Sequence, residues 1–267
     1  MNVESNIIRD RQEGARLKTF WNSRYEEFSL RESGIKSLTP IYSQLLYRCK
    51  KNAYRKALAK GGIDPSKPVR ILDGGCGQGF FASVVRQVFQ SPTYVGIDIS
   101  EKAITFLKSR FQEFEWICAD LADDKLGLPQ KFNVAQSIEV LHLILDDANH
   151  SQAISNLVSN LLPNGILIVT DILPPKRTKI DEFIIFRPTD YYDNLFNRLG
   201  LECLNIFPMY YWIPDMGMAL PRLRRLFRII PPNVVYYFDR LFLKLRIPQV
   251  NQSHDSKMKM IVCRKAS

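Results

Sequence analysis

Residues 69–79 have the sequence VRILDGGCGQG, a short apolar run that ends in an acid and is followed by closely spaced glycines. The apolar run before Asp73 predicts a strand, and the glycines at positions 75, 77 and 79 lead into a segment typical of a helix. Glycine suits such a loop because the backbone turns sharply there and lets a ligand approach without an intervening Cβ atom. The stretch therefore predicts a strand, a ligand-binding loop and a helix in succession.

Two cofactor classes fit this loop. A carboxylate at Asp73 suits the cationic amino-acid part of S-adenosylmethionine (SAM), whereas the pyrophosphate of NAD prefers the bare positive end of a helix. Residues 77–82 also satisfy the G-x-G-x-x-A pattern of dinucleotide sites. Asp98, at the end of the next predicted strand, can accept both ribose hydroxyls of either cofactor. The glycines and Asp98 by themselves leave both classes open.

Beyond residue 68, short apolar runs alternate with amphipathic segments, which is typical of βα units that form a parallel sheet. Strands are predicted at 69–73, 93–98, 114–119, 132–137, 166–171, 201–207 and 258–264. Helices are predicted at 80–89, 100–111, 150–162 and 189–199. The pattern predicts a doubly wound α/β core.

Helical segments flank this core. The prediction divides the chain into an N-terminal helical lid (1–62), an α/β core (63–211), a basic amphipathic helical cap (212–252) and the last core strand (253–267). Within the lid, residues 29–40 favour a loop. Within the cap, five prolines surround two amphipathic pieces, 220–230 and 234–245.

Several motifs in order along residues 69–171 resemble those of class I SAM-dependent methyltransferases. Residues 73–79 look like the first motif of that family, and GIDIS at 96–100 is similar to its ribose-binding second motif. ADL at 119–121 is similar to the loop whose acid holds the adenine amino group. Residues 136–143 and 162–171 are like the exit of the fourth strand and the turn and strand that follow.

The resemblance implies a Rossmann-like sheet of seven strands, mostly parallel, with the last strand antiparallel. It also implies that SAM is the cofactor, that S-adenosylhomocysteine is its product and that no metal takes part. The cofactor-binding residues expected on this basis are Asp73, Gly75, Cys76, Gly77, Gly79, Asp98, Ile99, Asp120, Leu121, Ser137, Tyr25 and Arg48.

The candidate catalytic residues follow the fourth predicted strand, on the loop that faces the transferred methyl group in the family that the chain resembles. His142 can take a proton from a hydroxyl because the pKa of histidine is close to neutral pH. Glu139 can position an amine or orient His142. For the acceptor, Asp171 and Arg187 are candidate polar contacts, and Tyr211 and Trp212 begin an aromatic wall.

Composition restricts the class of protein. Five cysteines without a C-x-x-C pair and three histidines indicate a reduced, cytoplasmic protein without structural zinc. The first fourteen residues are polar and charged, and no apolar run is long enough to span a membrane. The net charge of +10 is concentrated in residues 220–267, which carry eleven Lys or Arg and two Asp. Such a patch fits an anionic substrate, a peripheral membrane contact or nucleic acid, and equally a solvated face.

These observations favour methyl transfer to an oxygen, rather than a nitrogen, of a small anionic or apolar molecule. Carboxyl methylation of a peptide or lipid-like acid is an alternative. RNA methylation is supported only by the basic C-terminal region, and the fourth-strand exit lacks both the Asn/Asp-Pro-Pro-Tyr/Phe and the Pro-Cys patterns of base methylation. A non-enzymatic SAM-binding protein that docks on a membrane or a partner is the remaining alternative. The oligomeric state is not specified by the sequence.

Overall fold

The computed structural model describes residues 3–25, 40–124, 126–128, 130–210, 231–245 and 257–267. Its helices are α1 (Val3–Arg24), α2 (Pro40–Lys60), α3 (Phe80–Val88), α4 (Glu101–Arg110), α5 (Asp147–Ser159), α6 (Thr189–Arg198) and α7 (Pro232–Leu245), with a 3-10 turn at Leu141–Leu143. Its strands are β1 (Val69–Gly74), β2 (Pro92–Asp98), β3 (Glu115–Cys118), β4 (Phe132–Ser137), β5 (Leu161–Asp171), β6 (Thr178–Lys179), β7 (Ile185–Phe186), β8 (Leu201–Pro208) and β9 (Lys259–Lys265).

Seven of the described strands form one sheet in the order β3-β2-β1-β4-β5-β9-β8. Strands β1 to β5 pair in parallel, whereas β9 is antiparallel to both β5 and β8. The predicted fold class, with its antiparallel last strand, is confirmed. Strand order reverses between β1 and β4, and in open α/β sheets ligands bind beyond the carboxyl ends of the strands at that point.

Helices cover both faces of the sheet, so the central strands are apolar on both sides. Ile71 and Leu72 are adjacent in β1 and belong to different core clusters on the two faces. Helices α2, α3 and α4 contribute to the first cluster and α5 and α6 to the second. This alternation follows from the two-residue period of a strand.

The predicted N-terminal lid contains two helices that differ in their surroundings. Helix α2 is part of the core, because Leu46, Tyr54 and Ala57 are at most 1% exposed and pack with the sheet. Helix α1 instead lies over the ends of the strands, where Gly14 approaches the Asp120 side chain. Of these two helices, only α1 therefore covers the ends of the strands.

Two boundaries differ from the sequence prediction. Helix α5 begins at Asp147 rather than residue 150, because the Asp146 side chain accepts hydrogen bonds from the N–H groups of Ala148 and Asn149. Strand β5 begins at Leu161, before the predicted turn, and its register with β4 shifts there. The turn residues 163–165 are thus a bulge within the strand. The small β6–β7 hairpin was not predicted.

Helix α7 is the described part of the predicted cap. Val235, Tyr236 and Asp239 are buried against the rest of the protein, while Tyr211, Trp212 and the amphipathic piece 220–230 lie outside the described residues, as does nearly all of the predicted loop 29–40. Among the helices that the structure describes, none is long and apolar enough to cross a membrane.

Candidate active site

A cleft of about 970 Å³, partly open to solvent, lies beyond the carboxyl ends of β1, β2 and β4. The cleft is lined by Leu17, Trp21, Tyr25, Tyr47, Lys50, Gly75, Cys76, Gly77, Gln78, Phe80, Phe81, Ile97, Asp98, Ile99, Ala119, Asp120, Leu121, Ile138, Glu139, Val140, Leu143 and Ile144. Eight of the twelve predicted cofactor residues are among them, namely Gly75, Cys76, Gly77, Asp98, Ile99, Asp120, Leu121 and Tyr25.

The glycine loop forms one wall of the cleft. Gly75 and Gly77 have φ angles of 79° and 53°, which L side chains rarely adopt. A Cβ atom at Gly75 would lie 2.4 Å from a methyl carbon of Val140, and one at Gly77 would lie 3.2 Å from the Tyr25 hydroxyl oxygen. The loop therefore presents bare backbone to the cleft, as the sequence predicted.

Two predicted cofactor residues of the same motif lie behind the loop. Gly79 precedes α3, and a Cβ atom there would lie 2.5 Å from Leu107 in α4, so its smallness serves helix packing. The carboxylate of Asp73 is buried and accepts a hydrogen bond from the Tyr94 hydroxyl. Burial raises the pKa of Asp73 to about 7, although the bond from Tyr94 opposes that rise. Neither residue lines the cleft, which corrects their expected direct contact with a ligand.

Two aspartates also line the cleft. The two carboxylate oxygens of Asp98 accept hydrogen bonds from the N–H groups of Gly77, at 2.8 Å, and Ser100, at 2.9 Å. Burial raises the pKa of Asp98, and these backbone donors partly offset the effect. Asp120 accepts a 2.9 Å bond from the N–H of Ala122. Hydrogen bonds from backbone N–H groups thus hold both carboxylates in place.

Helix α1 covers these aspartates. A Cβ atom at Gly14 would lie 2.8 Å from an Asp120 carboxylate oxygen. Tyr25 is only 4% exposed, and burial, followed by the charge of Asp98, raises its pKa. The helix therefore passes close to Asp120, and the residue after it, Tyr25, lies near Asp98.

Side-chain contacts with α4 and with the β6–β7 hairpin hold α1 in place. Asn22 accepts a 2.7 Å hydrogen bond from Ser100 at the start of α4, and Lys18 forms a 2.6 Å ion pair with Glu101. On the other side, Phe20 stacks on Phe183 of the β6–β7 hairpin with ring centroids 4.5 Å apart. Helix α1 is therefore attached both to α4 and to the β6–β7 hairpin.

Lys50 and Glu139 meet within the cleft. Their side chains are 3% and 24% exposed and form an ion pair. Burial disfavours the Lys50 cation, but the charge of Glu139, the nearby Tyr47 and the hydrogen bond to Glu139 together outweigh that cost, so the pKa of Lys50 is raised. Glu139 has a φ angle of 61°, and its N–H donates a 2.7 Å bond to Thr170. A non-glycine residue in this conformation is held there by its surroundings and is typical of functional sites.

Sequence reasoning missed Lys50. The available signal was a lysine on an otherwise apolar helix face, three residues after Tyr47 and four before Tyr54. The predicted contact from α2, Arg48, is instead exposed, and its guanidinium carbon lies 4.2 Å from the Tyr236 ring centroid of α7. Arg48 is therefore corrected to a residue that packs α7 on α2, away from the cleft.

His142 and Ser137 do not line the cleft. His142 is 8% exposed, its ring lies 5.5 Å from that of Phe186, and burial lowers its pKa to about 4. Its Nδ1 atom has no hydrogen-bond partner among the described residues. Ser137 is fully buried, and it is the next two residues, Ile138 and Glu139, that reach the cleft. Of the two candidate catalytic residues on this loop, only Glu139 therefore lines the cleft.

Two candidate acceptor residues have structural contacts instead. Asp171 is fully buried and accepts a 2.5 Å bond from the Tyr192 hydroxyl. Arg187 is fully buried, and it donates bonds of 2.8 Å to Asp147 and 2.9 Å to the carbonyl of Ile144. These contacts hold the end of β5 and the loop before α5, and neither side chain lines the cleft, so their contact with an acceptor stays a prediction. The other two candidates, Tyr211 and Trp212, cannot be placed because they lie outside the described residues.

Residues 65–187 match a family model described as "Methyltransferase domain". Together with the sheet order and the motifs, this match identifies the core. We therefore identify residues 65–187 as a methyltransferase domain. Within the part of the chain that the structure describes, no group of three or more His, Cys, Asp or Glu side chains could hold a metal ion.

Two curated relatives match parts of this chain. A fatty-acid O-methyltransferase of Mycolicibacterium smegmatis is 30% identical over 108 residues, which cover 39% of this chain and 38% of that relative. A tRNA (carboxymethyluridine(34)-5-O)-methyltransferase of Arabidopsis thaliana is 30% identical over 121 residues, which cover 44% of this chain and 26% of that relative. The chain thus spans well under half the length of these relatives.

A solved structure shares the fold over nearly the whole chain. Magnesium protoporphyrin IX methyltransferase from Synechocystis PCC 6803, solved with bound SAM, has a TM-score of 0.57, and the match covers 95% of this chain and 97% of that one. The two sequences are 13% identical, so the similarity concerns the fold alone.

Proposed function

We propose that this methyltransferase transfers the methyl group of SAM to an oxygen of a small molecule and releases S-adenosylhomocysteine. The observation that carries the proposal is the cleft at the reversal of strand order, where the bare glycine loop faces Asp98 and Asp120 beneath α1. SAM supplies an activated methyl group, so the protein mainly has to bind, orient and exclude water.

The cleft residues fit the parts of SAM. The carboxylates of Asp98 and Asp120 can accept hydrogen bonds from ribose hydroxyls and from the adenine amino group. Gln78 supports the fit, because its Nε2 atom is buried at the cleft without a partner among the described residues. At the other end, Lys50 and Glu139 together match the carboxylate and ammonium of an amino acid.

Within this proposal, the proton balance favours an acceptor that is already ionised. A hydroxyl acceptor needs a base to take its proton. The Glu139 carboxylate, however, is held in an ion pair with Lys50, and His142 does not line the cleft. A carboxylate acceptor needs no proton removal at neutral pH. The curated relatives support this narrower candidate, since both are named as O-methyltransferases and a fatty acid has oxygen only in its carboxyl group. An apolar acid would also suit the lining formed by Phe80, Phe81, Leu143 and Ile144.

The test follows labelled methyl groups into acceptor classes. The pure protein is incubated with methyl-labelled SAM and a cell extract separated into small-molecule, lipid, RNA and protein fractions, with Asp98→Ala as the control. Label in the small-molecule or lipid fraction supports the proposal, and its release as methanol by mild base identifies a carboxyl ester. Label that resists base identifies an ether or amine, whereas label confined to RNA or protein contradicts a small-molecule acceptor.

A further inference from the structure

Helix α7 carries a row of apolar side chains on its outward face. Val234, Tyr237, Phe238 and Leu241 are 38%, 67%, 50% and 46% exposed. Their spacing of three, four and seven residues places them on one stripe of the helix. We call these four residues the α7 stripe.

The opposite face of α7 fixes the helix on the protein. Val235, Tyr236 and Asp239 are at most 5% exposed. The side-chain amide of Asn52 donates a 2.7 Å hydrogen bond to the Tyr236 hydroxyl, and Arg48 lies over the same ring. Because this face is already docked on α2, the α7 stripe is presented outward on a fixed support.

The charges around the stripe are positive. Arg240 and Lys244 of α7 are exposed. Asp239, the acid that α7 contains, is fully buried. A helix that exposes large apolar side chains flanked by Lys and Arg, without an exposed acid, is typical of a helix that lies in the interface of an anionic membrane.

We infer that α7 docks this protein on an anionic lipid surface, with the α7 stripe in the headgroup boundary and Arg240 and Lys244 on lipid phosphates. A lipid surface fits better than a second copy of the chain, because a symmetric contact would bring the same cations together. It also fits better than nucleic acid, whose backbone recognition would not need four exposed apolar side chains. The inference is independent of which acceptor is methylated.

The experiment is cosedimentation of the full chain with lipid vesicles. One set contains equal amounts of phosphatidylcholine and phosphatidylglycerol, and the other contains phosphatidylcholine alone. We expect the protein to pellet with the anionic vesicles, about tenfold more weakly with neutral ones, and less at high salt.

Variants assign the binding to α7. Tyr237→Ser combined with Leu241→Ser should weaken binding to anionic vesicles by about tenfold or more, because exposed apolar area is lost. Arg240→Gln combined with Lys244→Gln should weaken binding to anionic vesicles while leaving binding to neutral ones unchanged. The matched control is Ile180→Ser, which removes a 59% exposed apolar side chain from the β6–β7 hairpin. Circular dichroism and thermal unfolding check that each variant is folded.

Three results would overturn the inference. The first is a wild-type chain that does not pellet with anionic vesicles. The second is a folded stripe variant that binds as strongly as the wild type or no more weakly than Ile180→Ser. The third is a wild-type dimer in size-exclusion chromatography that the stripe variant converts to a monomer, in the absence of vesicle binding, since the stripe would then contact a second copy.

Discussion

The Nζ atom of Lys50 contacts the Glu139 carboxylate, so that a buried ion pair joins α2 to the exit of β4. The two residues are 89 positions apart, yet both line the cleft beside the glycine loop. Lys50 is the cationic side chain among the described lining residues, which also include three acids, Asp98, Asp120 and Glu139. This contact sets the charge at the end of the cleft where we propose the amino-acid part of SAM.

Replacing one residue of the Lys50–Glu139 ion pair should destabilise the protein. Lys50→Met leaves the Glu139 charge without its partner, and we expect a loss of about 1–3 kcal/mol in the free energy of unfolding. Lys50→Met combined with Glu139→Gln should recover most of this loss, because no unpaired charge remains. Denaturant unfolding of the single and double variants measures the coupling.

The double variant also tests the ligand role of the pair. A purely structural pair predicts normal SAM affinity once stability is restored. We expect SAM affinity, measured by calorimetry, to stay about tenfold or more below that of the wild type, because two charge-assisted contacts are absent. The exposed pair Lys18–Glu101 offers a control, and Lys18→Met should change stability little.

Asp98→Ala should weaken SAM binding by roughly 1–3 kcal/mol through loss of a charge-assisted hydrogen bond. Asp64→Ala is the control, since Asp64 bonds within its own turn to Ser66 and lies away from the cleft. Calorimetric titration of SAM compares the two variants. Unchanged affinity in Asp98→Ala would remove Asp98 from the site.

Gly79→Ala should be more destabilising than Gly200→Ala. Both glycines have left-handed φ angles, 77° and 66°, so each substitution costs about 1–2 kcal/mol in backbone strain. Only at Gly79 would the added Cβ atom meet a neighbour, Leu107 at 2.5 Å, whereas nothing lies within 4 Å at Gly200. We expect a further loss of about 1–3 kcal/mol at Gly79, measured by denaturant unfolding. Equal losses would contradict the tight packing of α3 on α4.

The buried His142 should make stability depend on pH. Its folded pKa of about 4 is below the ordinary value of 6.5, so between these values the unfolded chain binds more protons. Stability from His142 is therefore complete above pH 6.5 and is lost as the pH falls towards 4. We expect His142→Gln to reduce this acid loss by up to about 3 kcal/mol in unfolding curves measured across that range. A pH dependence identical to that of the wild type would contradict the burial of a neutral ring.

The turnover of His142→Gln addresses its catalytic role. We expect little change with a carboxylate acceptor, since no proton has to be removed. A loss of about 100-fold at equal stability would instead make His142 the general base for a hydroxyl acceptor.

The parts of the site that sequence predicted are those that short segments form by themselves. A strand, its terminal acid and the following glycines are contiguous, and parallel strands bring their carboxyl ends to the same edge. For this reason the sequence by itself is sufficient to place Gly75, Gly77, Asp98 and Asp120 at one cleft, where they lie in the folded chain. The α/β sheet class followed from the same alternation, and its antiparallel last strand followed from the resemblance.

The side-chain directions and long-range partners were decided by tertiary structure. Arg48 and Lys50 are two residues apart on α2, but helical rotation points one at α7 and the other into the cleft. Asp171 and Arg187 have the residue types of a binding site, and only the tertiary structure shows that they bond to Tyr192 and Asp147. A sequence specifies local elements because their periodicity is local, whereas the partner of a buried charge depends on which distant segment folds beside it.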